Sequence, residues 1–274
     1  MTVKVATYNI QFGIGFDGQY DLKRIADAVA DADVIALQEV TRGFIRNAGR
    51  DMVAEIEELF ADRFCAVHMP ADVDFGSTVR EGKAEQSRFQ FGNMIISRWP
   101  LISVRRLLLP RSMRLAKLNL QRGALEAMID TPAGVIRFYS VHLDHIDAEE
   151  RHSQIDALKA VALAAPHTGL AATGLSEYGF PELPVTEDLL LLGDFNFEPD
   201  LSEYRAMLSE GGHLVDVTAA DSGWSWTLPE DRSQIKRLDY GFANPELAER
   251  VTNVRIDQDA EGSDHMPVWI EIGA

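Results

Sequence analysis

Only one cysteine, Cys65, occurs in the chain, which excludes an intrachain disulfide and a thiolate metal cluster. No apolar stretch reaches the roughly 18 residues of a membrane span. The first residues enter a strand-like run, Val3-Lys4-Val5-Ala6, without the basic, apolar and cleavage-site series of a leader. Basic residues are in short supply: 26 Lys and Arg against 43 Asp and Glu give a formal net charge of −17. A field of that sign repels polyanions, whereas non-specific duplex binding depends on neutralising phosphates with basic groups. These shortages predict a soluble cytoplasmic protein with a buried, inert thiol, and they count against a general DNA nuclease. A small phosphorylated substrate held by a few local arginines stays compatible with them.

The 274 residues are 46% hydrophobic, enough for a substantial core. No repeat, low-complexity tract or linker divides them, so the expectation is one domain over 1–274 with mixed strands and helices. Asp21 is placed to cap a helix whose apolar positions Leu22, Ile25, Ala26 and Val29 follow helical spacing. Further helices are predicted over 50–60, 148–164 and 201–209. Strands are predicted over 33–37, 63–67, 91–96, 124–129, 135–143, 188–192, 239–243, 251–256 and 267–272. Residues 70–90 read mostly as loop. The breaker-rich segment 166–187, with His167, Tyr178 and Phe180, reads as a long irregular loop and a candidate for substrate selection.

Five polar islands interrupt the apolar runs: Thr7-Tyr8-Asn9, Leu37-Gln38-Glu39, Ser140-Val141-His142, Gly193-Asp194-Phe195-Asn196 and Gly262-Ser263-Asp264-His265. Glu39, directly after an apolar strand, is a hard oxygen ligand suited to a Mg2+-like ion, and Asn9 can add an amide oxygen or orient a water. Either alone reads more simply as a solvent-facing strand end, and the case rests on the set. Asp194 and Asn196 are two apart, so an extended segment would aim both at one phosphate; an Asx turn that ends the strand is the plainer alternative. His142 points away from its apolar neighbours. His145 is a rim candidate. His265 can act as a base or stabilise charge if a carboxylate holds its other ring nitrogen, and Asp239 is the candidate partner. A surface ion pair of Asp239 with Arg237 is the alternative. Asp264 would face away from His265, toward a metal or a helix terminus. Arg122 can set a planar guanidinium against phosphate oxygens, or simply be solvated. Arg80, Lys83 and Arg88 form the most basic patch, interleaved with Glu81 and Glu85.

The ordered set TYNI, LQEV, GNMIISRWP, QRGAL, SVHLDH, GDFN, RLDY and SDHMPV, spread over positions 7–268, resembles the endonuclease/exonuclease/phosphatase superfamily of metal-dependent phosphoesterases. The resemblance implies an α/β fold: a four-layered sandwich of two mainly antiparallel sheets, face to face, with helices outside. It implies a metal site of Asn9 and Glu39, with Asp264 as a further ligand, filled by Mg2+ or alternatively Mn2+. Asp194 would activate the attacking water and Asn196 hold the phosphate. His142 would bind a phosphoryl oxygen or assist the leaving group, Asp239 and His265 would form the acid–imidazole pair, and Arg122 would contact phosphate. In-line attack by water on a small organic phosphate or phospholipid headgroup is the expected reaction, with a Mg2+-dependent DNA or RNA nuclease as the alternative. The fold leaves the substrate open.

Overall fold

Every residue from Val34 to Gln38 is buried, so a strand here needs cover on both faces, as the central strand of a layered fold does. The computed structural model of the protein, which describes residues 2–208 and 213–274, supplies that cover. In chain order the strands are β1 (Thr2–Asn9), β2 (Val34–Arg42), β3 (Phe64–Asp74), β4 (Thr78–Arg80), β5 (Lys83–Glu85), β6 (Arg88–Ser97), β7 (Leu101–Leu108), β8 (Gly123–Thr131), β9 (Gly134–His142), β10 (Leu189–Asp194), β11 (Val215–Asp216), β12 (Trp226–Leu228), β13 (Asp231–Lys236), β14 (Asp239–Ala243), β15 (Val251–Ile256) and β16 (Val268–Gly273). The α-helices are α1 (Leu22–Ala28), α2 (Met52–Leu59), α3 (Ala148–Thr168), α4 (Ser202–Leu208) and α5 (Pro245–Ala248).

Two six-stranded sheets carry the fold, in the orders β15-β16-β1-β2-β6-β3 and β11-β14-β10-β9-β8-β7. Each is antiparallel except for one central parallel pair, β1–β2 in the first and β9–β10 in the second. Alternation along the strands makes the layers. Val3, Val5, Val34 and Ala36 of the first sheet meet Leu125, Ala127, Phe138, Leu190 and Leu192 of the second. Their neighbours point outward: Ala6, Tyr8, Ile35 and Leu37 onto α1 and α2, and Tyr139, Val141, Leu189 and Leu191 onto α3 and α4. The result is the expected four-layered α/β sandwich.

A buried polar seam joins the two sheets. Gln38 Nε2 donates to Ser140 Oγ at 2.9 Å, Ser140 Oγ donates to the Leu37 carbonyl at 2.9 Å, and Asn93 Nδ2 donates to the Ser140 carbonyl at 2.9 Å. Several residues of the polar islands are therefore structural: buried donors and acceptors need partners, and these find them across the sandwich.

The structure departs from the sequence expectation in several segments. The stretch 70–90 is not mostly loop: β3 runs on to Asp74, β4 and β5 form a hairpin, and β6 begins at Arg88. β4 and β5 are exposed along their whole length, so no hydrophobic period marks them, whereas the parts of β3 and β6 within 70–90 bury only Ala71 and Phe89, in a cluster with Phe91. Helix α3 continues through Pro166 to Thr168. A helical proline leaves the carbonyl four residues back without its donor, and here the buried Arg137 supplies one, its Nη1 donating to the Ala162 carbonyl at 2.7 Å. Beyond α3 the chain is irregular apart from a single-turn helix at Leu175–Tyr178. The expected helix over 201–209 spans Ser202–Leu208, and Ser209 lies outside the described residues.

Candidate active site

The C-terminal ends of the two parallel pairs meet at one edge of the sandwich. Asn9 ends β1, His142 ends β9 and Asp194 ends β10, with Asp194 in register with His142 on one side and with Asp239, the first residue of β14, on the other. Gly193 allows this close pairing, since a Cβ there would lie 1.9 Å from the Val141 carbonyl oxygen. Glu39 does not follow its strand, as expected, but interrupts it. The register of β2 against β6 skips from Gln38 to Val40, and Glu39 is the extra residue, at φ 63°. A bulge re-aims a side chain at the cost of local strain, and this one turns Glu39 toward Asn9.

Asp194 is the hub. Its Oδ2 accepts from Asn9 Nδ2 at 2.9 Å and lies 3.4 Å from His142 Nε2 and 3.7 Å from His265 Nε2. Its Oδ1 accepts from the Asn196 backbone N–H at 2.9 Å. Asn196 has φ 54°, and its Nδ2 donates to the Leu143 carbonyl. The extended reading of Asp194–Asn196 is thus replaced by an Asx turn, which still keeps both side chains at the strand exit. Burial pushes the Asp194 carboxyl above the ordinary range, against the pull of His265.

His265 lies between two acids. Its Nδ1–H donates to Asp239 Oδ2 at 2.8 Å. Burial works against its charge, but Asp239 and then Asp194 outweigh that and carry the imidazolium to about 10. Asp239 is fully buried and held by Ser225 Oγ at 2.8 Å, while Arg237 turns to Asp216; the surface ion pair is excluded. His142 is the opposite case. Burial, then the neighbouring Arg122, hold it well below its ordinary value, so it is neutral. Arg122 is buried, not solvated. Its Nη1 reaches the His142 ring at 2.9 Å, and its Nη2 donates to His145 Nδ1 at 2.9 Å.

Ligand atoms of Asp194, Asp239 and His265 lie within 4.8 Å of one another, yet that triangle is a poor cation site. His265 spends Nδ1 on Asp239 and carries a positive charge itself. Glu39 offers the better one: burial first, and then the negative charge of Asp264, raise its carboxyl to about 7, a carboxylate short of a counter-cation. Asp264 is likewise raised by burial and keeps one oxygen on Trp226 Nε1 at 3.2 Å. Such hard oxygen donors fit a Mg2+-class ion. Asn9 presents its Nδ2 to Asp194 and, at 3.4 Å, to Glu39, with its Oδ1 accepting from the Gln11 N–H. Placed so, it spaces the two acids and does not turn its oxygen toward them.

The sequence reading missed Ser225 and Trp226. Both lie on or beside β12, a three-residue strand bridged to His265, which is too short to leave a periodic signal. The loop 166–187 belongs elsewhere. Thr186 donates to the Val135 carbonyl and Ala171 to Ser103 Oγ, at the end of the second sheet where β9 and β10 begin. His142 and Asp194 are at the other end, about 16 Å along β10 and about 23 Å along β9, so the anchors of the loop are remote from the site.

The family model described as Endonuclease/Exonuclease/phosphatase family matches residues 6–265. No curated protein matches the sequence. Among solved structures, the endonuclease/exonuclease/phosphatase from Beutenbergia cavernae DSM 12333 is similar at TM-score 0.69 and 22% identity, over 100% of this chain and 72% of that one. A mannosyl-6-phosphatase from Bacteroides thetaiotaomicron VPI-5482 is similar at TM-score 0.63 and 18% identity, over 98% of each chain. The Neisseria 3' phosphatase NExo, bound to a product DNA hairpin, is similar at TM-score 0.61 and 16% identity, over 99% of this chain and 100% of that one. With a family match over nearly its whole length and the matching fold, the chain belongs to the endonuclease/exonuclease/phosphatase family of phosphoric ester hydrolases.

Proposed function

We propose that this protein hydrolyses a small organic phosphate ester or a phospholipid headgroup by in-line attack of water, as one catalytic domain over residues 1–274 in the cytoplasm. The observation that carries the reading is the Asp194 carboxylate, raised by burial and positioned by Asn9 and the Asn196 N–H. It accepts the proton of the attacking water as the water oxygen bonds to phosphorus and the bond to the leaving oxygen breaks, the leaving oxygen departing with the bonding pair and taking its proton from solvent water. His265, kept protonated by Asp239, donates to the charge that develops on the phosphoryl oxygens, so of its two possible roles the charged donor fits and the base does not. Arg122 and neutral His142 bind the phosphoryl group from the other side, and Asn196 adds its amide. Glu39 and Asp264 would hold a Mg2+ or Mn2+ ion, with Asn9 spacing the acids. Such an ion supplies Lewis-acid stabilisation of the phosphoryl and leaving oxygens.

The names of the similar structures span a sugar phosphatase and a DNA 3' phosphatase. The net charge of −17 favours the small ester, because a duplex would approach against the field. The test is hydrolysis of bis-p-nitrophenyl phosphate, p-nitrophenyl phosphate, choline and inositol phosphoesters and plasmid DNA, with Mg2+, with Mn2+ and with EDTA. Metal-dependent turnover of a small ester with intact plasmid is expected. Efficient plasmid cleavage that falls steeply with salt would replace this reading with the nuclease.

A further inference from the structure

Between residues 86 and 125 the sequence has eight Lys or Arg and no Asp or Glu, inside a chain of net charge −17. The part of this stretch between β7 and β8 forms a loop, 109–122, that leads directly into Arg122. Its tip exposes three aliphatic side chains, Met113 at 83%, Leu115 at 90% and Leu118 at 64%. Arg111 and Lys117 stand exposed among them, whereas Arg114 is paired with Asp147 at 2.6 Å. Free apolar side chains of this size in water would ordinarily fold inward if the loop were slack.

The loop is tied. The buried Glu150, near the start of α3, takes Ser112 N–H and Asn119 Nδ2 on its Oε2, with the Ser112 hydroxyl on the same atom. Gln154 Nε2 donates to the Pro110 carbonyl at 3.0 Å, and Arg111 Nη1 to the Asn119 carbonyl at 3.1 Å. The tip is therefore presented rather than collapsed. It also lies on the catalytic side: Lys117 is near enough to disfavour charge on His145, whose ring takes Arg122 Nη2.

We propose that this tip is a docking surface for an anionic lipid bilayer, which seats the active site against headgroups. The inference rests on the reading of the site as a phosphoesterase centre. Aliphatic residues interleaved with basic ones suit the boundary between headgroups and acyl chains. Nucleic acid would call for aromatic stacking platforms, and the tip has none. The acidic remainder of the chain does not cancel the patch, since exposed charges are screened beyond about 8 Å at physiological salt.

The test is flotation of the full-length protein with vesicles of phosphatidylcholine alone and of equimolar phosphatidylcholine and phosphatidylglycerol, at physiological salt. Binding to the anionic vesicles alone is expected. The triple variant Met113→Ser, Leu115→Ser, Leu118→Ser and the double variant Arg111→Gln, Lys117→Gln should each weaken it at least about tenfold. Both variants should keep wild-type kcat/KM on soluble bis-p-nitrophenyl phosphate, which also reports that they fold. Absence of wild-type binding, or binding that neither variant weakens, would overturn the proposal. So would loss in the variants of oligonucleotide binding or of self-association in place of vesicle binding. Vesicle binding is read without turnover: binding with no hydrolysis of any ester would leave the docking intact and sink the catalytic reading, and turnover without binding would do the reverse.

Discussion

His265 Nδ1 lies 2.8 Å from Asp239 Oδ2, although 26 positions separate the two residues. The contact is made by β14 beginning beside Asp194 while the segment before β16 is bridged to Trp226. Two acids facing one imidazole hold it charged, and that charge separates its role from that of neutral His142.

Asp239→Asn should remove the main support for that charge. The expected outcome is a fall in kcat of about 10²-fold or more, with the far-ultraviolet spectrum unchanged. The sign of the pH effect is fixed by the raised value. His265 in the folded state holds its proton to about 10, above its ordinary range, so it stabilises the fold fully below about 6.5 and loses that contribution as pH rises to 10. Thermal melts from pH 6 to 10 should show this decline in the wild type and much less of it in Asp239→Asn.

Arg122→Lys retains a charge but cannot reach His142 and His145 together as the guanidinium does. The expected loss is about tenfold or more in kcat/KM on p-nitrophenyl esters, and Arg122→Ala should lose more. Equal rates for the lysine variant and wild type would remove Arg122 from phosphate binding.

Mg2+ should raise the melting temperature, and Glu39→Gln should abolish the rise. Because burial and Asp264 hold the Glu39 carboxyl up at about 7, a proton competes with the ion below that pH. The rise should therefore be larger at pH 8 than at pH 6. An unchanged rise in Glu39→Gln would move the ion elsewhere.

Cys65 reports the first sheet independently of catalysis. Burial, and secondarily Glu57, push its thiol up to about 11, so at pH 8 only about one molecule in a thousand carries the thiolate. Reaction with Ellman's reagent should be slow in the folded protein and rapid in urea, and the half-buried thiol should react faster as pH is raised toward 11.

The loop 166–187 should be dispensable for selectivity. Replacing 174–181 by a short glycine-serine link should leave the ratio of rates on monoester and diester substrates unchanged, in keeping with anchors at the far end of β9 and β10.

Much of this site was legible in the sequence because strand ends carry it. Asn9, His142, Asp194 and Asp239 each stand where an apolar run begins or ends, and a polar residue there is conspicuous. Glu39 was legible as a residue but not as a geometry, since a bulge depends on the register of β2 against β6 and leaves no local mark. The Asx turn at Asp194 and the burial of Arg122 were equally hidden: each is decided by neighbours far away in the chain. Gln38 and Ser140 lie in catalytic-looking islands but stitch the two sheets together, a distinction that only packing reveals. The exposed hairpin of β4 and β5 was missed for the reverse reason, as no buried face imposes a pattern on it.

The most direct test of the account is turnover of bis-p-nitrophenyl phosphate by the wild type and by Asp194→Asn, each with Mg2+ and with EDTA. The wild type should turn over with Mg2+ and stop with EDTA, and Asp194→Asn should fall by about 10³-fold while melting cooperatively. Near-wild-type turnover by a folded Asp194→Asn would contradict the assignment of Asp194 as the group that takes the proton of the attacking water.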